Sequence, residues 1–328
     1  MVTCGDPAGI GAEITVAAWR VRSAEMPPFW LIDDPYRLSK LAEDVPVAPV
    51  SSPSDAVAAF ETALPVLPIA FDAVPVAGRP DAANAPAVIA AIETAVTLCR
   101  EGQASGMVTN PISKKVLYDG GNFRWPGHTE FLAHLGEVPR TVMMLAAPDL
   151  RVVPITVHIA LAAVPMALTA EAIVESGRIT TAALRRDFGI AAPRLAFAGL
   201  NPHAGEGGAM GREEIEIIAP AIETLKRDGI DAVGPLPADT MFNPAARSRY
   251  DVAMCMYHDQ ALVPLKTLDF ARGVNVTLGL PFVRTSPDHG TAFNIAGTGR
   301  ADPTSLIEAL MLAGRMAEAR SAATGEAG

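Results

Sequence analysis

Cysteine, aromatic side chains and positive charge are all scarce in this chain of 328 residues. The three cysteines, Cys4, Cys99 and Cys255, are far apart and odd in number. That excludes a disulfide framework and a Cys-x-x-Cys metal knuckle, and predicts buried free thiols in a reducing, cytoplasmic compartment. Aromatic residues make up 5% of the chain, and 26 Lys and Arg face 36 Asp and Glu for a formal net charge of −10. A nucleic-acid surface needs clustered cations and stacking rings, so no nucleic-acid partner is expected. Met1-Val2-Thr3-Cys4-Gly5-Asp6 has neither the charged start nor the apolar run of a signal peptide. Val152 to Ala170 contains no Asp, Glu, Lys or Arg, close to the ~20 residues that span a bilayer. It also contains Pro154, Thr156, His158 and Pro165, and reads as a buried strand, a loop and the approach to a helix. No membrane partner is expected.

What is present is apolar side chain in quantity: 50% of the chain is hydrophobic, enough for one large or two ordinary domains. Short apolar runs alternate with longer amphipathic ones, the pattern of an α/β fold with a mostly parallel sheet. Strands are predicted at 29–32, 106–109, 141–145, 152–157, 195–200, 251–257 and 274–277, and helices at 8–21, 85–100, 169–188, 212–227 and 303–319. Asn84, Thr169 and Asp302 are expected N-caps, with Pro86 and Pro303 in first turns. Residues 45–83, rich in Ala, Pro and Val, carry the weakest local signals.

The six histidines are the chemically informative inventory. Three predicted strands end alike: 152–157 stops at His158, 195–200 runs through Asn201-Pro202 into His203, and 251–257 stops at His258. In parallel α/β folds functional groups collect beyond the carboxyl ends of strands. Neutral imidazole is the commonest ligand for a divalent transition metal, and three ligands leave a position open for substrate. The glycine-rich turn from Asn201 to Gly211 is not the dinucleotide fingerprint, because its G-x-G-x-x-x-G spacing is one residue too long. Lys266, Asn275, Arg284 and the pair His128-Thr129 suit a phosphate or carboxylate. The segment Pro287 to Arg300 has few core-forming side chains and many glycines, which permit close backbone approach to a ligand.

The motifs Gly5-Asp6-Pro7-Ala8-Gly9-Ile10-Gly11, Thr109-Asn110-Pro111-Ile112 and Pro126-Gly127-His128-Thr129-Glu130-Phe131-Leu132 are long and distinctive. With Asn201 to Glu206, Tyr257-His258-Asp259-Gln260, Leu278 to Pro281 and Arg284-Thr285-Ser286, they resemble the 4-hydroxythreonine-4-phosphate dehydrogenase family of vitamin B6 biosynthesis from end to end. The resemblance implies an α/β fold of two α/β/α lobes with a cleft between them, similar to isocitrate and isopropylmalate dehydrogenases. Residues 1–127 with 290–328 would form one lobe, and 128–289 the other. It also implies a homodimer whose active site draws residues from both subunits. His158, His203 and His258 match the family's metal ligands, shared across that dimer. His128, Thr129, Lys266, Asn275 and Arg284 match its substrate contacts. His289, Gly290, Thr291, Ala292 and Asn294 match the adenosine-binding loop of the wider superfamily.

Two features depart from that pattern. Asn294 stands where the superfamily commonly has Asp, an acid that favours a free ribose 2′-hydroxyl over a 2′-phosphate, so the expected cofactor is NAD or NADP. Only Met1–Cys4 precede the first glycine motif, which implies a shortened first strand or a late-assigned start. The implied reaction is NAD(P)-dependent oxidation of 4-phosphooxy-L-threonine to 2-amino-3-oxo-4-phosphooxybutanoate, which decarboxylates to 3-amino-2-oxopropyl phosphate. One divalent metal per site, Zn, Mg or Co, would act as Lewis acid. Asp239 or Asp259 would accept a proton or orient a ligand histidine. The alternatives are oxidation of a related phosphorylated four-carbon acid (phosphothreonate or phosphoerythronate) and, from other classes, phosphoacyl transfer or metal-dependent hydrolysis.

Overall fold

The computed structural model describes residues 1–325, which divide into two units: Met1–Arg140 with Leu280–Glu318, and Thr141–Gly279 with the chain from Ala319 onward. The first unit runs β1 (Val2–Thr3), α1 (Gly11–Arg20), β2 (Leu31–Asp33), α2 (Pro35–Leu41), β3 (Val47–Pro49), α3 (Pro53–Ala59), β4 (Leu64–Pro68), α4 (Ala85–Arg100), β5 (Gly106–Thr109), α5 (Lys114–Gly120) and α6 (His128–Leu135). The second holds β6 (Val142–Ala147), β7 (Leu150–Thr156), α7 (Val164–Ala167), α8 (Ala170–Phe188), β8 (Arg194–Ala198), α9 (Ala219–Arg227) and β9 (Asp231–Leu236). It continues with α10 (Ala238–Met241), α11 (Pro244–Arg247), β10 (Val252–Tyr257), α12 (His258–Leu268) and β11 (Val274–Leu278). The chain then re-enters the first unit through β12 (Val283–Pro287) and α13 (Thr304–Thr324), although α13 from Ala319 onward, expected in the first lobe, falls in the second unit.

Strands of the first unit lie in the order β3-β4-β2-β1-β5-β12, every neighbouring pair parallel. Parallel neighbours need crossover connections, and α1 to α4 each supply one between consecutive strands. The buried face of α4 (Val88, Ala91, Ile92, Ala95, Val96) packs with Ile32, Met107, Leu117, Phe131 and Phe282 into the core. By length and composition α4 is the one helix among the described residues able to cross a membrane; its apolar side chains are spent on this core. In the second unit the order is β11-β6-β7-β10-β8-β9; β6 runs antiparallel to both of its neighbours, β11 and β7, and the remaining pairs are parallel. Its core gathers Val152, Ala196, Ala253, Cys255 and Leu265.

Several expectations shift. Residues 128–140 and 280–289 lie in the first unit, not the second. Phe131 and Leu132 of α6 are buried in the α4 core, and Arg284 on β12 pairs with Met107 on β5. The first helix starts at Gly11, since the residues before it form a turn in which Asp6 accepts from the Ala8 and Gly9 N–H groups at 3.0 Å. Thr169 caps α8 and Asp302 accepts from Thr304 N, as expected. Asn84 does not cap α4; its Oδ1 accepts instead from Ala73 N at 2.9 Å. The helix predicted at 212–227 is split into a π-helical turn, Glu214–Ile218, and α9. Cys4 and Cys255 are buried free thiols, while Cys99 is half-buried; burial raises the pKa of the first two and keeps them protonated.

Candidate functional site

In the second unit β7, β10 and β8 are adjacent and parallel, so their carboxyl ends open on one edge. Each delivers a histidine there. His158 follows β7 in a left-handed conformation (φ 51°), His258 opens α12 directly after β10, and His203 follows β8 after a four-residue connection. Side-chain bonds brace the edge: Thr156 Oγ1 donates to Met256 O at 2.7 Å, and Gln260 Nε2 donates to Gly199 O at 2.7 Å. The His158 and His258 rings lie 5.6 Å apart between centroids. Asp259 Oδ1 is 2.7 Å from His258 Nδ1. That contact orients the ring and leaves Nε2 for a ligand, the usual arrangement of a carboxylate behind a metal-binding imidazole.

His203 is presented differently. Residues 203–207 have φ of 52°, 52°, 80°, 44° and 65°, and Gly208 follows at 101°. Left-handed backbone at non-glycine residues costs about 1–2 kcal/mol each, and His203, Ala204 and Glu206 bear it. The turn is braced by the buried Glu214, whose Oε1 accepts from Asn201 N at 2.7 Å and Oε2 from Asn201 Nδ2 at 3.0 Å. Glu214 also opens the π-helical turn. Its carboxylate lies 2.5 Å from where a Cβ on Gly205 would stand, so a side chain at 205 would displace it. His203 is exposed. Among the described residues no three His, Cys, Asp or Glu side chains are close enough together to hold a metal ion. Within one chain the expected convergence is therefore met by His158 and His258 alone. These two fit a metal as a partial ligand set, both nitrogen donors on one edge.

The two candidate acids separate. Asp259 is committed to His258. Asp239 is exposed on α10, a short helix packed against the His203 turn. Lys266 is half-buried on α12, its Nζ 5.4 Å from the Phe270 ring centre, and Asn275 on β11 has a buried Oδ1 with no partner.

In the first unit, Arg284 is 3% exposed in β12 and donates from Nε and Nη2 to Thr109 Oγ1 at 3.2 and 2.7 Å. Thr109 ends β5, next to β12. Burial brings the guanidinium pKa down to about 10, still a cation at neutral pH. His128 and Thr129 are half-buried at the start of α6, and His128 Nε2 is buried with no partner. Burial, and then the charges of Arg284 and Lys114, hold the His128 pKa well below its ordinary value, so the ring is neutral. A buried guanidinium beside an unsatisfied neutral imidazole is a cradle for an anion. His134, at the other end of α6, stacks on Trp125 at 5.1 Å and has no part in it.

The loop after β12 is stitched to the start of α1. Ile10 N donates to Thr291 O at 3.1 Å, a Cβ on Gly9 would stand 2.8 Å from that oxygen, and Glu13 Oε1 accepts from Gly297 N. His289 Nδ1 is 3.0 Å from Gly290 O, and its Nε2 is buried without a partner. Gly290 has open space around it, Ala292 is left-handed (φ 48°), and Asn294 is exposed. An orphaned ring nitrogen, open backbone and an exposed amide fit a polar cofactor such as a dinucleotide. Sequence reading missed Thr109 and Lys114. Thr109 lay inside a recognised motif, whereas Lys114 was an unremarked charge at a helix start.

A family model described as pyridoxal phosphate biosynthetic protein PdxA matches residues 27–313. The 4-hydroxythreonine-4-phosphate dehydrogenase of Caulobacter vibrioides is 56% identical over 325 residues, covering 97% of this chain and 97% of that protein. Its namesake in Bradyrhizobium diazoefficiens is 55% identical over 337 residues, with 98% and 97% covered. The crystal structure of the Klebsiella pneumoniae enzyme of that name superposes with a TM-score of 0.88 at 36% identity, over 96% of this chain and 97% of that one.

Proposed function

The chain belongs to the PdxA family of pyridoxal phosphate biosynthetic proteins, and from that premise we propose that it oxidises 4-phosphooxy-L-threonine with NAD or NADP and a divalent metal. The observation that carries the reading is the pair of imidazoles, His158 and His258, 5.6 Å apart at the ends of neighbouring parallel strands. Phosphoacyl transfer would leave that pair unexplained. The third ligand is His203 of a second copy in a homodimer, which accounts for its exposure here.

A divalent ion held by these histidines would supply Lewis acidity toward the substrate's secondary hydroxyl, and a bound nicotinamide would supply the hydride acceptor. The chain's own residues do the rest. Asp259 fixes the His258 ring through the Nδ1 contact. Asp239 accepts the hydroxyl proton, since Asp259 is already engaged. The carbon-bound hydrogen leaves as hydride and the alcohol becomes a ketone. The β-keto acid then loses carbon dioxide as its carboxylate C–C bond breaks, and a proton replaces it, giving 3-amino-2-oxopropyl phosphate. Arg284, His128, Thr129, Lys266 and Asn275 are the contacts proposed for the charged ends of the substrate. Anchoring a remote anionic group holds a small substrate in a reactive pose. The loop His289, Gly290, Thr291, Ala292 and Asn294 receives the adenosine end of the cofactor.

The test is incubation of the metal-replete protein with 4-phosphooxy-L-threonine and NAD or NADP, following the reduced nicotinamide by its absorbance. Phosphothreonate in a parallel arm separates the nearest alternative substrate. Reduction of neither cofactor with either substrate would overturn the reading.

A further inference from the structure

We propose that Lys114 is the second cation of the His128–Arg284 recess, beside Arg284, and binds the phosphate group of the substrate. The proposal rests on the reading of that substrate as a phosphorylated acid.

Lys114 is the first residue of α5, whose N-cap Ser113 accepts from Val116 N at 3.4 Å. Its side chain lies over Gly127, the N-cap of α6: Lys114 Cε and Nζ are 3.3 and 3.5 Å from where a Cβ on Gly127 would stand. Gly127 has extended backbone (φ −178°) open to any residue, so what its missing side chain provides is room for the lysine stem. The ammonium is thereby brought to the start of an eight-residue helix. There, unpaired N–H groups and the helix dipole favour negative charge and disfavour a cation.

Lys114 makes no hydrogen bond or ion pair among the described residues. The nearby acid, Glu130, brings Oε2 to 3.4 Å from the same point over Gly127, yet the two form no ion pair. Lys114 and Arg284 both lie close enough to His128 to help keep it neutral. The recess thus combines a buried planar guanidinium, an exposed ammonium at its mouth, an unsatisfied imidazole nitrogen and the start of a helix. Such a set compensates a dianion better than a single carboxylate. Arg supplies paired donors, Lys a mobile point charge, and the helix start free N–H groups, which together surround a tetrahedral phosphate.

Two readouts test this on the metal-replete protein. Inorganic phosphate is titrated while the ¹⁵N-labelled His128 ring is followed by NMR, and KM and kcat are measured with 4-phosphooxy-L-threonine and with unphosphorylated 4-hydroxy-L-threonine. Lys114→Met is expected to weaken phosphate binding and raise KM for the phosphorylated substrate roughly ten- to a hundredfold, the loss of one charge-assisted contact. The increase in KM should exceed the decrease in kcat. Lys114→Arg should stay within a few-fold of wild type, and an unchanged thermal midpoint for each variant shows that the fold is intact. Phosphate binding as tight in Lys114→Met as in wild type would overturn the proposal. So would an equal penalty on the unphosphorylated substrate, which would assign the lysine to the carboxylate end. Failure of the wild type to reduce nicotinamide would sink the proposed activity, while the phosphate titration would still decide the role of Lys114.

Discussion

Arg284 is 3% exposed, lies in the middle of a strand and is held by two hydrogen bonds to Thr109. His203 is exposed and stands on a turn whose backbone is left-handed from residue 203 to 208. The first unit has built its cationic recess within a single chain, with charges, cap and orphaned imidazole in place before any ligand arrives. The second unit has assembled two imidazoles and left the third outward on strained backbone braced by Glu214. The difference teaches where completeness comes from. An anion site is completed by its ligand, whereas a catalytic metal site usually takes three protein donors, and a chain that gathers two can take the third from another chain. The proposed homodimer supplies that donor.

The largest expected effect breaks this comparison at its weaker side. His203→Ala should lose bound metal, as read by elemental analysis, and turnover should fall on the order of a thousandfold, the several kcal/mol that Lewis-acid assistance supplies. His158→Ala should behave alike. Unfolding and refolding an equal mixture of the two inactive variants should then restore about a quarter of wild-type activity. Half the dimers would be mixed, and one of the two sites in each intact. No recovery in the mixture would mean that all ligands come from one chain, and the contrast between the units would disappear.

How much of this was legible in the sequence depends on the physical signal each residue leaves. α4 matches its predicted span and β5 does too, because a long amphipathic run and a short apolar run flanked by turn residues are local signals. β12 was invisible because Val283-Arg284-Thr285-Ser286-Pro287 is polar by pattern, yet all five residues are buried. A buried cation there overrides the apolar alternation that identifies a strand. α12 was missed because Pro264 sits inside it, and the antiparallel β6 and β11 look like their parallel neighbours when read alone. The strand-end histidines were legible as types at topological positions. Lys114 was not, because its meaning depends on the empty side of Gly127, thirteen positions along the chain, and no spacing rule connects them.

A smaller effect sharpens the comparison from the first unit's side. His128 is neutral in the fold, with its pKa depressed mainly by burial, whereas an unfolded histidine titrates near ~6.5. As pH falls below about 6.5 the unfolded chain binds a proton that the folded chain refuses. This group's contribution to stability is therefore full above that pH and is lost as pH falls toward the folded pKa. The slope from one such proton is at most about 1.4 kcal/mol per pH unit. Urea unfolding at pH 7.5 and at pH 5.5, choices of about one unit either side of ~6.5, should show a steeper loss in wild type than in His128→Gln. Equal losses would mean that the ring is not held neutral by its recess.

The smallest effect concerns the cofactor loop, where exposure limits what one residue can do. Asn294 is exposed, so a charge placed there acts largely through water and is screened by salt. Asn294→Asp introduces a carboxylate that accepts from a ribose 2′-hydroxyl and repels a 2′-phosphate. The expected change is therefore a preference: kcat/KM with NADP should fall relative to NAD by roughly three- to tenfold, about 1 kcal/mol. The shift should shrink as ionic strength rises, since a screened surface charge is its cause. Unlike the histidine variants, this one should keep its full metal content, because the loop belongs to the first unit and the histidine ligands to the second. An unchanged preference at low salt would remove Asn294 as the discriminator. A shift that persists at high salt would mean that the side chain contacts the ribose directly when the cofactor is bound.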